Sequence, residues 1–475
     1  MNASDHQSDH GHAVVLGGSV AGLLAAAALA PSFGHVAVVE RDKLDEAKKP
    51  TPTSRRRGVP QAAHVHAFQP RGLQELEFLL PGARAELRAR GAHLVEPGFD
   101  QRIELNGNLL APTRTRLESV QATRGLFEDH IRSRVRELPN VTLLDDTNAA
   151  GLVLNAHDSQ VTGVRVAGRT PGAAATELPA ELVVDAMGRG SRLPAWLAAY
   201  GLGTAEVESH RVDVTYSTAL VTLRDLPRAT SCLIVGPGPG RPAGLGLMAV
   251  EGDAHVLTVA GIAGHKPPRS FDELVEAARS LLPDDFAGSL DGIERHPAAD
   301  VATFSYPKVE WRRLDRLAHK PAGLLAIGDS LCAFNPIYAQ GMTVAVLQAR
   351  ALADAVATPG RRRIEARYFA ATRPLVKTAW SIARAADLAV PELPGRRSPA
   401  MRLLNRYVSR VQAGAATDPR LASSFIRVVG MIDPPPALLS PATVARALRP
   451  RPRASGSSHG RPAPSNGQRS HDAHA

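Results

Sequence analysis

Residues 13–40 read AVVLGGSVAGLLAAAALAPSFGHVAVVE. Ala13 to Leu16 is a short apolar run; a glycine turn follows, then a stretch of alanine and leucine, both strong helix formers, then a second apolar strand that ends in Glu40. Strand, glycine turn, helix and strand in that order make a dinucleotide-binding βαβ unit. Gly17, Gly18 and Gly22 permit a tight turn and a close approach of the backbone to a pyrophosphate at the helix N-terminus, where unsatisfied N–H groups and the helix dipole favour an anion. Ser19 stands where the G-x-G-x-x-G pattern has its second glycine, with a hydroxyl able to bond a phosphate, and Ala21 completes the turn. Glu40 comes 23 positions after Gly17, near the spacing at which a carboxylate accepts hydrogen bonds from the adenosine ribose. Its neighbour Arg41 is placed with the same group.

A chain of 475 residues is long enough for two or three domains. At 44% hydrophobic and 21% charged it reads as globular, but only 4% is aromatic, too little for the stacking platforms of single-stranded nucleic-acid binding. The formal charge of +10 is partly a tail: Arg449 to Ala475 holds five arginines and one aspartate among Pro, Ser, Gly and His, a composition that cannot fold alone. The rest reads as a solvated arginine-rich face, and no nucleic-acid partner is expected. Cys232 and Cys332, the only cysteines, fit a reducing compartment and exclude a disulfide framework. MNASDHQSDHGH has no apolar signal core, and no apolar run reaches the ~18 residues of a membrane span. A cytoplasmic protein with a disordered leader (1–12) is expected, with His6, His10 and His12 facing solvent rather than a metal.

Beyond the first unit come a basic loop from Lys48 to Arg57 and the segment GVPQAAHVHAF. Helices are expected over Gly72–Leu80, from Arg124 onward (Leu126, Phe127, Ile131, Val135 and Leu138 recur at helical spacing), over Phe271–Leu282 and over Met342–Val356. Strands are expected within Leu94–Leu117, over Val141–Leu144 and Val161–Val166 with a turn between them, over Glu181–Asp185, repeatedly from Val212 to Ile262 with a period near two, and over Leu324–Ile327. The expected fold is α/β. A discontinuous Rossmann-like domain (13–93, 119–205, 313–375) carries a β-rich substrate domain (94–118, 206–312), a helical C-terminal region (376–448) and a disordered basic tail (449–475).

Three glycine-punctuated strand ends stand out: GGSVAG with Glu40, VVDAMGRGSR from Val183 to Arg192, and IGDSLCAFNPIYAQGM from Ile327 to Met342. In this order the chain, over roughly residues 12–375, resembles the flavoprotein monooxygenase superfamily typified by para-hydroxybenzoate hydroxylase. RRGVPQAAHVH, DAMGRGSR and FNPIYAQGM look closest to the bacterial flavin-dependent epoxidases of polyether biosynthesis and their tailoring-oxygenase relatives. The resemblance implies a bound FAD. It gives Gly328 and Asp329 the role of accepting from the ribityl hydroxyls, and Pro336 to Met342 that of facing the isoalloxazine ring at the positive end of an apolar helix, with Gly341 kept free of a side chain. It sets Arg124 beside the flavin phosphates and Arg57, Gly58 and Gln61 in a loop over the ring system. Asp185-Ala186 stands where many members have Asp-Gly, so electrons from NAD(P)H arrive either directly or through a separate flavin reductase.

Such an enzyme needs little acid–base chemistry from the protein, because the cofactor activates oxygen and the site keeps water out. The implied reaction is epoxidation or hydroxylation of a small apolar secondary metabolite by molecular oxygen through a flavin hydroperoxide, with Phe334 and Tyr338 as candidate pocket walls. His64 and His66 have the H-x-H spacing of metal ligands without a local third ligand, so no metal is expected. Three other readings stay open: a reductase of isoprenoid type; a flavin halogenase, disfavoured because Trp196, Trp311 and Trp380 form no W-x-W-x-I-P motif; and a non-catalytic flavin-binding protein that recruits a partner through its basic tail.

Overall fold

The structure, a computed structural model, describes residues 11–449 apart from 45–49, 158–159, 171–173, 224–225, 228–229, 298 and 361–362. His6, His10, Lys48 and most of the basic tail lie outside the described residues.

Strand β1 (His12–Leu16) is buried along its apolar length, as a parallel strand covered on both faces requires. It turns at Gly17 into α1 (Val20–Leu29), where every residue but Ala21 is buried. Full burial of Leu23, Leu24 and Leu29 is worth about 1.5–3 kcal/mol each, while the alanines between them let the helix lie close to the sheet. Strand β2 (His35–Val39) pairs with β1 in parallel, Leu16 opposite Val39. Helix α2 (Arg124–Arg136) begins at Thr123, whose hydroxyl accepts from Leu126 N, and leads to β3 (Val141–Leu144) on the far side of β2. Strand β4 (Leu182–Asp185) pairs with β1, and β5 (Leu324–Ala326) pairs with β4. The parallel sheet therefore runs β5-β4-β1-β2-β3. Helix α3 (Gly341–Ala357) packs on α1, and α4 (Ile364–Asp387) packs on α3.

The region from Val207 to Arg312 forms the second layer. Val207–Thr222 pairs antiparallel with Ala302–Arg312 and with Ala254–Gly261, and the sheet continues through Ala243–Val250 and Cys232–Val235. Gln101–Leu105 then joins in parallel to Cys232–Val235. Cys332–Ala333, just after the Gly-Asp turn, pairs with Glu310 and Trp311; one short segment thus ties the end of β5 to this large sheet. Helices Pro399–Ala415 and Pro419–Val429 pack over Ile103, Leu105 and Leu110 at its other end.

The expected helices are present with small shifts, the second opening at Pro70 instead of Gly72 because proline suits a first helical turn. Two strand expectations need correction. Thr147–Leu154 is a strand that pairs with Val161–Gly168, where only a turn was expected. Residues 112–117 belong to no strand although they alternate in burial; Arg116 takes a left-handed φ of +56, and Thr113 N bonds Gly98 O while Ala111 N bonds Ala415 O, so this stretch hangs from a loop and a helix end.

Candidate functional site

Adjacent strands β1, β4 and β5 end side by side, so the three motifs meet at the carboxyl edge of one parallel sheet, where such sheets bind ligands. Gly17 has φ +107, and a Cβ there would lie 2.5 Å from the Ala186 carbonyl oxygen. The first and second motifs are thereby in backbone contact. Gly328, at φ +63, brings the third motif against the same helix start: its Cβ would lie 2.7 Å from that of Ala21.

The side chains over the glycine turn form one ionic cluster. Glu40, 4% exposed, accepts from Gly18 N at 2.8 Å and from Asp42 N at 2.8 Å. Arg56 reaches Glu40 at 3.0 Å, Glu128 at 2.8 Å and the Gly18 carbonyl at 3.2 Å. Arg124 donates to Glu128 at 2.9 Å and to Ser19 Oγ at 2.8 Å, and Ser19 Oγ donates in turn to Glu128 at 2.5 Å. Burial pushes the Glu128 carboxyl up, but the charges of Arg124 and Arg56 and the Ser19 hydroxyl bring it down to about 2. Burial alone would lower Arg56; Glu128 and Glu40 outweigh it and raise the guanidinium above its ordinary value. The arginine that turns inward is thus Arg56, whereas Arg57 is exposed, as is Arg41. Gln61 is half-buried and gives its carbonyl to His64 N, while Gly58 N donates to Asp42 at 2.7 Å.

At the second strand end Asp185 is fully engaged within the protein. Its carboxylate accepts from Met187 N at 3.0 Å, Ser191 Oγ at 2.5 Å and Ser330 Oγ at 3.1 Å. Burial raises its pKa against these bonds. It shapes the turn and ties it to the residue after Asp329.

Asp329 differs: among the described residues its carboxylate has no hydrogen-bond donor. Burial raises its pKa, opposed by the charges of Arg124, Arg189 and Arg312. Beyond it, Asn335 Oδ1 caps the turn Pro336–Tyr338 by accepting from Ile337 N, Ala339 takes the left-handed conformation at φ +51, and α3 begins at Gly341. A Cβ built on Gly341 meets no atom within 4 Å, and neither does one on Gly190. Gln340 is buried with its Oε1 unpartnered, while Met342 packs partly buried against the core. A carboxylate without donors, an orphaned amide oxygen and a glycine facing open space fit a polyhydroxylated flavin laid across this edge.

The two candidate walls have these surroundings. Phe334 belongs to the core with Trp311 and Trp380, and the Tyr338 hydroxyl donates to Asp387 at 2.8 Å. His64 Nδ1 sits 2.7 Å from Thr218 Oγ1 in the large sheet, and His66 Nδ1 donates to the His64 carbonyl. Burial, with Arg55 nearby, lowers His64 to about 4; burial and Arg124 lower His66 to about 3, so both are neutral at neutral pH. Among the described residues no group of three His, Cys, Asp or Glu side chains is placed to hold a metal, and no helix is long and apolar enough to cross a membrane. Glu128, Arg56 and Asp387 were missed from the sequence. For Arg56 the three consecutive arginines were a signal, without saying which one turns in.

Comparison with known proteins settles the family. No family model matches the chain. Protein Rv3254 of Mycobacterium tuberculosis (strain ATCC 25618 / H37Rv) is 31% identical over 439 residues, which span 89% of this chain and 90% of its own. The chain belongs to the family of Protein Rv3254. Among solved structures, Pseudomonas aeruginosa PqsL in complex with 2-aminobenzoylacetate superposes with a TM-score of 0.62 at 18% identity, covering 80% of this chain and 97% of PqsL. The p-nitrophenol 4-monooxygenase PnpA of Pseudomonas putida DLL-E4 gives 0.61 at 17%, covering 90% and 98%. The flavin-dependent brominase Bmp2 gives 0.60 at 18%, covering 88% and 93%. The fold is the one that PqsL, PnpA and Bmp2 share. Because a brominase shares it, the fold alone does not choose the chemistry.

Proposed function

We propose that the chain is an FAD-dependent monooxygenase that epoxidises or hydroxylates a small apolar secondary metabolite, polyketide or isoprenoid-like in character. The observation that carries this reading is the meeting of the three strand ends at one sheet edge, with Asp329 lacking a donor where ribityl hydroxyls would supply them. The likeness of the fold to PqsL, described as a probable FAD-dependent monooxygenase, and to the p-nitrophenol 4-monooxygenase PnpA supports it.

In this reading Glu40 accepts from the adenosine ribose with its remaining lone pairs, and the amides after Gly18, whose own N–H is taken by Glu40, face the pyrophosphate. Arg56 and Arg124 supply positive charge beside it. Asp329 orients the ribityl chain, and the amides at the start of α3 face the ring, where they stabilise negative charge. When bound, FAD supplies the oxygen activation and the transfer of one oxygen atom to the substrate. The protein's share is to bind, orient and exclude water. His64 and His66, in the loop beside the site, are neutral at neutral pH. Electrons come from NAD(P)H, bound directly or relayed by a separate flavin reductase.

The test uses molecular oxygen carrying a heavy isotope, with purified protein, reduced FAD and candidate apolar substrates. One labelled atom should enter the product and the other should appear in water. Label drawn from solvent water, or substrate reduced without oxygen uptake, would move the protein to the reductase reading.

A further inference from the structure

Asp387 ends α4 and is 1% exposed. A carboxylate there is disfavoured twice, by burial and by the negative end of the helix dipole. Three side chains answer it, none of them from its own helix. Asn335 Nδ2 donates to Oδ1 at 2.7 Å, Tyr338 OH donates to the same oxygen at 2.8 Å, and His210 Nε2 lies 2.8 Å from Oδ2.

Two of those donors bracket one turn. Asn335 and Tyr338 stand at either end of the stretch Asn335–Tyr338, and the other arm of the Asn335 amide caps Ile337 N. The turn is thus hung at both ends from a single carboxylate oxygen. The next residue, Ala339, holds a left-handed φ of +51, a conformation that is strained for a non-glycine residue and persists only where its surroundings fix it. Buried Gln340 and then Gly341, where a Cβ would meet open space, follow at once. The third donor, His210, lies just before an irregularity in the long strand Val207–Thr222, where the register shifts between Arg211 and Val214. One buried carboxylate therefore joins the ring-facing turn, the large sheet and α4. His210 also packs edge-on against Trp380 of α4, with centroids 5.4 Å apart.

We propose that Asp387 is a positioning residue for the flavin: it sets where the backbone of 336–341 stands relative to the ring and thereby tunes cofactor affinity and ring environment without touching the cofactor. This rests on the reading of the edge as an FAD seat. An isolated buried carboxylate serving only to pack α4 would need no partner on the turn; here two of its three partners come from it.

The test compares the full-length wild type, Asp387→Asn and Tyr338→Phe. FAD affinity is read by fluorescence titration, the ring environment by visible circular dichroism of the bound flavin, and folding by thermal melting of the FAD-free chain. Asp387→Asn should weaken FAD by about tenfold, the factor that about 1.4 kcal/mol makes, and change the visible dichroism of the flavin. Tyr338→Phe, which removes one donor from a folded protein, should change the dichroism in the same sense with a loss of about two- to threefold. Lower melting temperatures with wild-type affinity and dichroism in both variants would overturn the proposal. If Asp387→Asn does not fold, Tyr338→Phe alone decides. A wild type that binds no FAD would overturn the flavin reading itself, a result distinct from unaffected variants.

Discussion

The two ends of the candidate seat are built from opposite materials. At the glycine turn the space is crowded with charge: Glu40, Arg56, Glu128, Arg124 and Ser19 satisfy one another. At the Gly-Asp turn the groups are spare, with Asp329 lacking a donor, Gln340 Oε1 orphaned and Gly341 facing open space. One end is held by side chains that already pair within the protein, while the other carries side-chain acceptors without a partner among the described residues. Substitutions at the first end should therefore damage the fold, whereas those at the second should damage cofactor binding and leave the fold alone.

The sharpest break of that contrast is Glu128→Ala. It leaves Arg56 and Arg124 buried without their shared anion and should cost about 3–5 kcal/mol of stability, the scale of removing one partner from a buried ion pair. Chemical denaturation of the FAD-free chain measures it; a loss below about 1 kcal/mol would mean the cluster is not a structural unit. At the other end Gly341→Val should change stability by no more than about 0.5 kcal/mol, since a Cβ there meets nothing and the backbone is not left-handed. It should nevertheless weaken FAD by about 2 kcal/mol or more by filling the space against the ring. A valine variant that retains full FAD would show that the ring lies elsewhere.

A smaller effect follows from the histidines of the loop between the two ends. His64 and His66 are neutral in the fold at about 4 and about 3, below the ordinary histidine value near 6.5. Between these values the unfolded chain binds more protons than the folded one, so stability rises with pH through that window and falls as pH drops from about 6.5 towards 4. His64→Gln should flatten part of this slope in thermal melts taken across that range. An unchanged slope would assign the acid sensitivity to other groups, His130 among them.

What the sequence reveals divides along the same line. The βαβ unit, the Gly-Asp turn and the spare position at Gly341 are legible because each is local: a run of apolar residues, a glycine and an acid fall within a few positions. The ionic cluster is not. RRR at 55–57 offers three equal candidates, and the choice of Arg56 is made by Glu128, 72 positions away, and by Glu40. Asp387 was invisible for the same reason, since its partners Asn335 and Tyr338 lie 52 and 49 positions earlier. Thr147–Leu154 escaped notice because its first half, Thr-Asn-Ala-Ala-Gly, has no apolar alternation and becomes a strand by pairing with Val161–Gly168. Residues 112–117 show the converse error: their alternation is real in burial but has no ladder behind it.

The central claim is that the edge formed by β1, β4 and β5 seats FAD with Asp329 as its spare acceptor. Equilibrium titration of the full-length chain and of Asp329→Ala with FAD, followed by flavin fluorescence and by melting of the unliganded proteins, tests it directly. The wild type should bind and change flavin fluorescence, and Asp329→Ala should melt like the wild type but bind about ten- to a hundredfold more weakly, the scale of losing about 1.5–3 kcal/mol of hydrogen bonding to a charged group. Equal FAD affinity in the two proteins, or no binding by either, would contradict the account.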